Sequence, residues 1–477
     1  MNLTSLALTV YQVIVIITVI HVVLDNRQPA KTIAWALIIV FLPIAGIIAY
    51  LFFGVNTRRE RLVSRRSLDV LTRRSMFMFV EQRNLVLPDT HKLLIDQFIN
   101  QSLSLPFHNN KVDFLIDGYE FFPALLKDIA NAKHHIHIDI YIFEDDPLGN
   151  LIADALIAKA KEGIEVRVIY DDVGCWSVKN HFFQRMANAG VSIEPFLPVR
   201  FPRLTSKANY RNHRKLFVID GHIGYVGGMN IALRYVKGGR NTSGWRDTMT
   251  RIEGTGVVSL QRIFLIDWYF TNRTLLNDRT YYNYNDEEDK GHKENILLQG
   301  VACGPTSPMP DIMEGFVRII MNAKRYVYIE TPYFLPTGVI RFAILSAAMA
   351  GVDVRLLVPR NGDTWLIGWA SRSYLREMAE AGVTVMLYDK AFLHSKIMVS
   401  DDNICTCGST NMDFRSFEDN FESNVFIYDK STSERLRDIY LEDEKHATAL
   451  TDLPERMEPS LSVRLWESLT RLLSPLL

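Results

Sequence analysis

The chain has 477 residues, of which 48% are hydrophobic, and its formal net charge is −1 at pH 7. This size and apolar content allow more than one domain with a sizeable core. The near-neutral charge gives no reason to expect a nucleic-acid partner. Four cysteines without framework spacing argue against a disulfide-stabilised scaffold and favour a reducing compartment.

Two long uncharged segments begin the chain. Residues 3–24 and 32–57 contain no Asp, Glu, Lys or Arg, and each exceeds the roughly 20 residues that span a hydrocarbon core. The first segment lacks the basic start and the cleavage site of a signal peptide, and a proline such as Pro43 is tolerated in membrane helices. We therefore predict a transmembrane helical hairpin over residues 1–57. The alternative is an apolar hairpin buried in a soluble protein.

A basic segment follows the predicted hairpin. RRERLVSRRSLDVLTRR, residues 58–74, holds seven arginines and two acidic residues, which gives a net charge of +5 (7 − 2). The loop between the two predicted spans has no comparable excess of positive charge. Because basic flanks stay on the cytoplasmic side, we expect a multi-pass protein whose body faces the cytoplasm. The arginines would also contact anionic lipids.

The remainder of the chain is a tandem duplication. NAKHHIHIDIYIF (131–143) matches NAKRYVYIETPYF (322–334), and GIEVRVI (163–169) matches GVDVRLL (351–357). Each half alternates strand and helix patterns, which predicts two α/β halves built on a largely parallel sheet with some antiparallel edges. The sequence thus divides into a transmembrane hairpin (1–57), a basic juxtamembrane linker (58–108), a first half (109–290), a second half (291–450) and an amphipathic tail (451–477).

Each half carries one His-x-Lys-x4-Asp motif. The copies are His213, Lys215 and Asp220 in the first half, and His394, Lys396 and Asp401 in the second. A single match is expected by chance roughly 0.03 times in a chain of this composition, so two unrelated surface histidines are a poor explanation. Both copies lie in apolar runs with strand periodicity, which places His and Lys on one face and Asp at the strand's end. Two small residues and an asparagine follow each copy at the same distance, giving Asn230 and Asn411.

These residue types favour chemistry at a phosphodiester. Two histidines in one cleft supply a nucleophile and a general acid, and two Lys and two Asn side chains can surround an anionic phosphate. We therefore expect a pseudo-twofold arrangement with one shared cleft and a two-step displacement through a phosphohistidine. The alternative is two separate sites. A lysine on the same face as each histidine would repel a divalent ion, and metal-ligand spacings are missing at these places, so we expect no metal and no cofactor.

The paired motifs resemble the signature of the phospholipase D superfamily. The resemblance implies a duplicated α/β fold, phosphate binding by Lys215, Asn230, Lys396 and Asn411, and support of the site by Asp220 and Asp401. It also implies a carboxylate that orients each histidine. Asp247 in GWRDTMTRI and Glu422 in NFESNVFI occupy equivalent places; the alternative is that both are ordinary edge charges. The family's usual mechanism favours the first histidine as nucleophile, which the residues alone leave open.

The layout of the whole chain resembles bacterial cardiolipin synthases. AWALIIVFLPIAGIIAYLFFG, YIFEDDPLG, ETPYFLP and the terminal LLSPLL carry this resemblance, together with both motifs. It implies location in the bacterial inner membrane and transfer of a phosphatidyl group between two phosphatidylglycerols, with cardiolipin and glycerol as products. Membrane phospholipids are then the partners, nucleic acid is not, and a homodimer stays open. The alternatives are a phospholipase D-type hydrolase, a phosphatidyltransferase that uses another alcohol, or a membrane scaffold with an inactive site.

Two further segments are expected to contact lipid. A basic, aromatic insert before the first motif is predicted to form a lip facing lipid headgroups; the alternative is a solvated loop. The basic residues of the insert are Arg200, Arg203, Lys207 and Arg211. Residues 463–477 have apolar side chains at helical spacing around Trp466, so this tail lies on the membrane or packs against the body.

Overall fold

The computed structural model describes residues 3–25, 29–54, 71, 87–199, 209–239, 244–282, 294–305, 307 and 309–476. The helices are α1 (Leu3–Asp25), α2 (Pro29–Phe41), α3 (Pro43–Phe53), α4 (Lys92–Ser102), α5 (Asp117–Asn131), α6 (Pro147–Lys161), α7 (Asn180–Asn188), α8 (Arg234–Lys237), α9 (Val257–Asn272), α10 (Asp311–Asn322), α11 (Gly338–Met349), α12 (Trp365–Glu380), α13 (Phe414–Glu418), α14 (Lys430–Glu444), α15 (Pro454–Met457) and α16 (Leu461–Arg471).

The strands are β1 (Phe107–Ile116), β2 (His135–Ile140), β3 (Glu165–Asp171), β4 (Ser192–Phe196), β5 (Arg211–Asn212), β6 (Lys215–Ile219), β7 (Ile223–Gly227), β8 (Trp245–Arg246), β9 (Thr248–Gly254), β10 (Ile296–Cys303), β11 (Tyr326–Glu330), β12 (Phe334–Leu335), β13 (Asp353–Pro359), β14 (Thr384–Tyr388), β15 (Phe392–Leu393), β16 (Ile397–Ser400), β17 (Ile404–Gly408), β18 (Met412–Asp413), β19 (Asn420–Ile427) and β20 (Ala447–Ala449).

The N-terminal region is a helical hairpin whose second arm is broken. The first predicted span is the single helix α1, whereas the second is divided between α2 and α3. The break falls at Leu42, because Pro43 has no N–H to continue the hydrogen-bond ladder and begins α3 instead. Over the described ranges, we find no helix that combines the length and the apolarity needed to cross a bilayer. The basic segment 58–74 lies outside the described residues, apart from Leu71.

The two halves form one continuous mixed sheet. In the described residues, the strand order of the first half is β4-β3-β2-β6-β7-β9-β1 and that of the second is β14-β13-β11-β16-β17-β19-β10, and antiparallel pairing of β1 with β10 joins them. Corresponding strands occupy corresponding places, so the duplication in the sequence is a duplication of topology. The sheet order is symmetric about the β1–β10 pair except for the added edge strand β20.

The prediction of a largely parallel sheet was wrong. Among the described strands of the main sheet, parallel pairing is found within β2-β3-β4 and β11-β13-β14 and between β5 and β19, while β6-β7-β9 and β16-β17-β19 pair antiparallel. Short turns join β6 to β7 and β16 to β17, and a turn of a few residues can connect only antiparallel neighbours. Asp220 and Asp401 lie at these turns with positive φ, each at 54°.

Helices cover both faces of the sheet. One face of the first half packs against α5, α6 and α7, and the same face of the second half packs against α10, α11 and α12. The opposite face is covered by α9 and α14, and the apolar cluster beneath them includes buried residues of both halves, such as Leu216 and Val399. Because this core is shared, the two motifs are held in a fixed relation to each other.

Candidate active site

Two very short strands place the motif histidines. Strand β5 pairs with β19 of the second half, and β15 pairs with β8 of the first half. The histidines follow directly: the His213 N–H donates to the carbonyl of Phe421 (2.9 Å), and the His394 N–H donates to the carbonyl of Arg246 (2.7 Å). Each motif histidine is therefore fixed through the main chain of the other half.

The two motifs meet at one cleft. A cavity of about 490 Å³ is lined by His213 and His394, with Asn230 and Asn411 beside them. The shared cleft expected from the duplication is therefore present in the structure, and the alternative of two separate sites is wrong. The aromatic rings of Tyr141 and Tyr235 pack edge-on against the first and second histidine, with ring centroids 5.0 and 6.0 Å apart.

Each histidine binds a carboxylate that comes from the other half. The Nδ1 atom of His213 lies 2.9 Å from a carboxylate oxygen of Glu422, and Nδ1 of His394 lies 2.7 Å from one of Asp247. An ionised carboxylate can only accept, so Nδ1 of His213 carries the proton and its Nε2 keeps a free lone pair. Nδ1 of His394 lies near both the Asp247 carboxylate and the Lys396 ammonium, the latter at 2.9 Å. Both carboxylates are buried. Asp247 and Glu422 thus contact the two histidines, as the resemblance implied. The alternative that both are ordinary edge charges does not fit these hydrogen bonds.

The two histidine–carboxylate pairs differ in proton affinity. Burial lowers the pKa of His213 to about 4, although the Glu422 carboxylate opposes this shift. Burial also opposes ionisation of Glu422, but His213 and Lys215 outweigh it and hold the Glu422 pKa below its ordinary value. In the second pair, burial raises the pKa of Asp247 to about 6 in spite of Lys396. The pKa of His394 is lowered well below its ordinary value by burial and then by the neighbouring lysines.

Both motif lysines are buried behind the histidines. The Lys215 ammonium donates to the main-chain carbonyl of His213 (2.6 Å), and the Lys396 ammonium donates to that of His394. Burial lowers the pKa of Lys215 well below its ordinary value and that of Lys396 to about 8. Two buried ammonium groups that repel each other would be stabilised by an anion between them. This is the electrostatic setting that a phosphodiester requires.

The two motif asparagines are held differently. The side-chain oxygen of Asn230 accepts from the N–H of Ile142 (3.0 Å), and its amide donates to the hydroxyl of Tyr235 (2.5 Å). The side-chain oxygen of Asn411 is buried and has no hydrogen-bond partner within the described residues. The Asn411 amide is therefore less committed to the protein than that of Asn230.

The motif aspartates serve the scaffold. The Asp220 carboxylate accepts from three successive main-chain N–H groups, those of residues 133–135, and the Asp401 carboxylate does the same for residues 324–326, at 2.7 to 3.0 Å. Each lies at the far end of its strand, five residues and so about 16 Å from the motif lysine. Both carboxylates therefore fix β2 and β11 to the motif strands, which agrees with the supporting role that the resemblance implies for them.

The basic insert is described in part. Arg200, Arg203 and Lys207 lie outside the described residues, so their predicted role at a headgroup lip stays a prediction. Arg211 is buried in the wall of the cleft, where its guanidinium lies 3.5 Å from the carboxylate of Asp171. Its side chain is therefore part of the cleft wall and does not lie on an outer lip.

Two cleft arginines were missed in the sequence. Arg234 and Arg415 each stand four residues after the motif asparagine and both line the cleft. Arg234 is ion-paired with Glu144. Arg415 donates to the main-chain carbonyl of Asn209 (3.1 Å), and among the described residues no carboxylate pairs with it. Their matching offset was the available signal, but the motif as first aligned ended at the asparagine.

Fold and site together define a class of protein: a duplicated α/β enzyme in which two halves contribute one histidine each to a phosphodiester site. The comparisons agree. A family model described as "Cardiolipin synthase, PLD-like domain" matches residues 125–255 and 316–443, and one described as "Phospholipase_D-nuclease N-terminal" matches residues 13–54. The chain belongs to the cardiolipin synthase family of phospholipase D-like proteins. The predicted family and the two tandem α/β halves are confirmed.

Relatives and a solved structure give the extent of the similarity. The chain is 37% identical to the major cardiolipin synthase ClsA of Bacillus subtilis (strain 168) and 38% identical to the cardiolipin synthase of Oceanobacillus iheyensis, with 100% of each chain covered in both cases. The crystal structure of phosphatidylserine synthase from Haemophilus influenzae covers 81% of this chain and 100% of its own, with a TM-score of 0.60 and 16% identity. The last similarity concerns the fold alone.

Proposed function

We propose that this enzyme transfers a phosphatidyl group from one phosphatidylglycerol to a second, producing cardiolipin and glycerol. The observation that carries this proposal is the pair of histidines in one cleft, each with Nδ1 bound to a carboxylate of the other half. The names of the full-length relatives support the same reaction. Two equivalent imidazoles suit a reaction that breaks and re-forms the same kind of phosphodiester bond.

His213 is the nucleophile in the proposed first step. Its low pKa keeps the ring neutral, and donation from Nδ1 to Glu422 leaves the Nε2 lone pair free for attack. Nε2 bonds to phosphorus, the bond from phosphorus to the headgroup glycerol oxygen breaks, and His394 gives that oxygen its proton. The ionised Glu422 stabilises the positive charge that grows on the His213 ring.

His394 changes from acid to base in the second step. The hydroxyl of a second phosphatidylglycerol gives its proton to His394 and attacks phosphorus, and the bond between nitrogen and phosphorus breaks. Lysine charges keep the pKa of His394 low in the empty cleft. An anionic phosphodiester between Lys215 and Lys396 offsets those charges and so favours the imidazolium that the first step needs. Asn230 and Asn411 complete the phosphate site.

The N-terminal hairpin is proposed to anchor the enzyme to the bacterial inner membrane, with the body in the cytoplasm. Its helices leave many large apolar side chains exposed, including Ile17, Leu24 and Ile44, and a bilayer is the surroundings in which such side chains are stable. The arginine-rich segment after the hairpin supports the cytoplasmic orientation. The lip role of Arg200, Arg203 and Lys207 belongs to the same proposal.

The test uses the purified full chain with phosphatidylglycerol vesicles, with and without a chelator. We expect cardiolipin and free glycerol in equal amounts in both cases. Phosphatidic acid as the main product would show a hydrolase, a product with another alcohol would show a different transferase, and loss of activity in chelator would show a metal enzyme. Alkaline quenching of a reaction with phosphate-labelled lipid should trap label on His213, because the nitrogen–phosphorus bond survives base.

A further inference from the structure

The C-terminal helix α16 buries polar side chains and exposes apolar ones, the reverse of an ordinary helix on the surface of a soluble protein. A surface helix normally turns its apolar stripe to the core. In α16 the buried side chains are polar, with Glu467 only 2% exposed and Thr470 only 3%. The stripe that faces away from the body is apolar: Leu461 is 84% exposed, Leu465 60% and Leu472 75%, and Leu469 is on the same stripe.

Ion pairs to α12, one of them buried, fix this orientation. The Glu467 carboxylate accepts from the guanidinium of Arg376 on α12 at 2.7 Å, and both side chains are almost fully buried. The guanidinium of Arg471 donates to Glu377 (3.0 Å) and lies over the ring of Tyr374, 3.9 Å from its centroid. A roll of the helix that buried its leucines would break the Glu467–Arg376 pair and leave both of its charges unpaired in the interior. The leucines therefore stay outside.

Two tryptophans extend the apolar stripe toward the cleft. Trp466 of α16 stacks on Trp365 at the start of α12, with ring centroids 6.4 Å apart and an angle of 9° between the planes. Both indoles are exposed. Asp363 and Ile367, on either side of Trp365, line the catalytic cleft. We define the docking face as Leu461, Leu465, Leu469 and Leu472 together with Trp365 and Trp466; its Trp365 end lies beside the cleft.

We propose that the docking face lies in the surface of the phosphatidylglycerol bilayer and holds the cleft mouth against it. This inference rests on the proposed function, because it makes the covering partner the substrate's own membrane. A helix with an apolar outer stripe inserts into the headgroup boundary, and tryptophan is enriched at that depth. The exposed Arg464 on the same helix favours an anionic lipid surface. Substrate can then enter the cleft without crossing water.

Spin labelling measures the surroundings of the stripe directly. The four native cysteines are buried, so a label attaches selectively to Leu469→Cys, with Lys430→Cys on the exposed start of α14 as the control. The full chain is reconstituted in phosphatidylglycerol vesicles, and the accessibility of each label to oxygen and to a water-soluble nickel complex is compared. We expect oxygen to dominate at 469, by at least about threefold over the control ratio.

Three results would overturn the proposal. A label at 469 as accessible to the nickel complex as the label at 430 would show a solvated helix. Dipolar broadening between labels would show a second copy on the stripe. A label protected from both reagents would show cover by another part of the same chain.

Turnover separates this proposal from the proposed function. Leu465→Gln with Leu469→Gln removes outward apolar surface, while Leu465→Met with Leu469→Met preserves it, and neither pair disturbs the core. The glutamine pair should lower the rate of cardiolipin formation in vesicles about fivefold, whereas the methionine pair should stay within about twofold of the wild-type rate. In lipid–detergent micelles all three proteins should have the same rate. Equal rates in vesicles would contradict docking. Absence of cardiolipin for every protein, wild type included, would contradict the proposed function, while the label at 469 would still decide docking.

Discussion

The two halves share one strand order and one motif, yet the residues around the two histidines differ. After the first histidine stands Arg214, whose guanidinium donates to the main-chain carbonyl of Glu422 (3.1 Å) and pairs with the buried Asp267. After the second stands Ser395, whose hydroxyl lies 3.0 Å from that of Thr248. A duplicated scaffold thus keeps its geometry while the supporting charges diverge.

A second difference concerns the small residues beside the carboxylates. Gly228 lies against Asp247, where a Cβ atom would approach the carboxylate oxygen to 2.1 Å. At the equivalent place Ser409 fits and donates its hydroxyl to Glu422. The extra donor favours the ionised form of Glu422, while Asp247 holds its proton more tightly. Because the two carboxylates have separated pKa values, the histidines that they contact can take different roles, one as nucleophile and the other as acid.

The largest predicted effect is the same for both halves: loss of either motif histidine abolishes most activity. His213→Ala and His394→Ala should each lower cardiolipin formation by about 10⁴-fold or more, because each removes a bond-forming or proton-transferring group. Turnover of phosphatidylglycerol in vesicles measures this. Cys405→Ala and Cys407→Ala, at buried thiols, should retain activity. Near-native turnover by either histidine variant would contradict the single shared cleft.

The next effect should distinguish the halves. Glu422→Gln is expected to lower the rate about 10³-fold, because the charge that stabilises the His213 cation is lost while an oxygen remains to accept from Nδ1. Asp247→Asn should cost about 10²-fold, since Asp247 holds its charge less firmly. Initial rates in vesicles give both values. Asp438→Asn, at an exposed carboxylate of α14, is the control. The reverse ranking would break the proposed division of roles.

The sequence predicted most of the site because the two halves repeat the same residues at the same spacing. Repeated spacing identified both histidines and lysines, and the resemblance to the phospholipase D superfamily, with equivalent places in the two halves, pointed to Asp247 and Glu422. The exchange of these carboxylates between halves could not be predicted, because it depends on β5 and β15. Two-residue strands are too short to show a period. The sequence predicted only some antiparallel edges, whereas the turns at Asp220 and Asp401 make antiparallel pairing the commoner kind in the described sheet.

The cleft arginines offer a sharper test of asymmetry. Cardiolipin synthesis brings two phosphates together, and Arg415, unlike Arg234, forms no close ion pair with a carboxylate among the described residues. Arg415→Gln should therefore raise KM for the acceptor lipid about twentyfold, the loss of one charge-assisted hydrogen bond. Labelling of His213 should be unaffected. Arg234→Gln, with its charge already balanced by Glu144, should change KM less. Equal changes of KM in both variants, or slower labelling of His213 in Arg415→Gln, would contradict the proposed role of Arg415 at the acceptor lipid.

The smallest effect is the pH dependence, and it follows from the same asymmetry. Asp247 is ionised above its pKa of about 6 and then accepts from His394, whereas Lys396 is charged below its pKa of about 8 and then attracts phosphate. Activity should therefore fall as pH drops below about 6 and as it rises above about 8. The profile of kcat/KM reports these groups in the free enzyme, with about half the maximum at each limit.

Two variants assign the limbs of that profile. Asp247→Asn should remove the acid limb and leave a lower, flat rate between about pH 5 and 7, because the amide does not titrate. Lys396→Arg should move the alkaline limb upward, since arginine keeps its charge. His213, neutral above about pH 4, contributes no limb in this range. If Asp247→Asn kept its acid limb, another group would be responsible for that limb. The two carboxylates would then no longer explain why the halves differ.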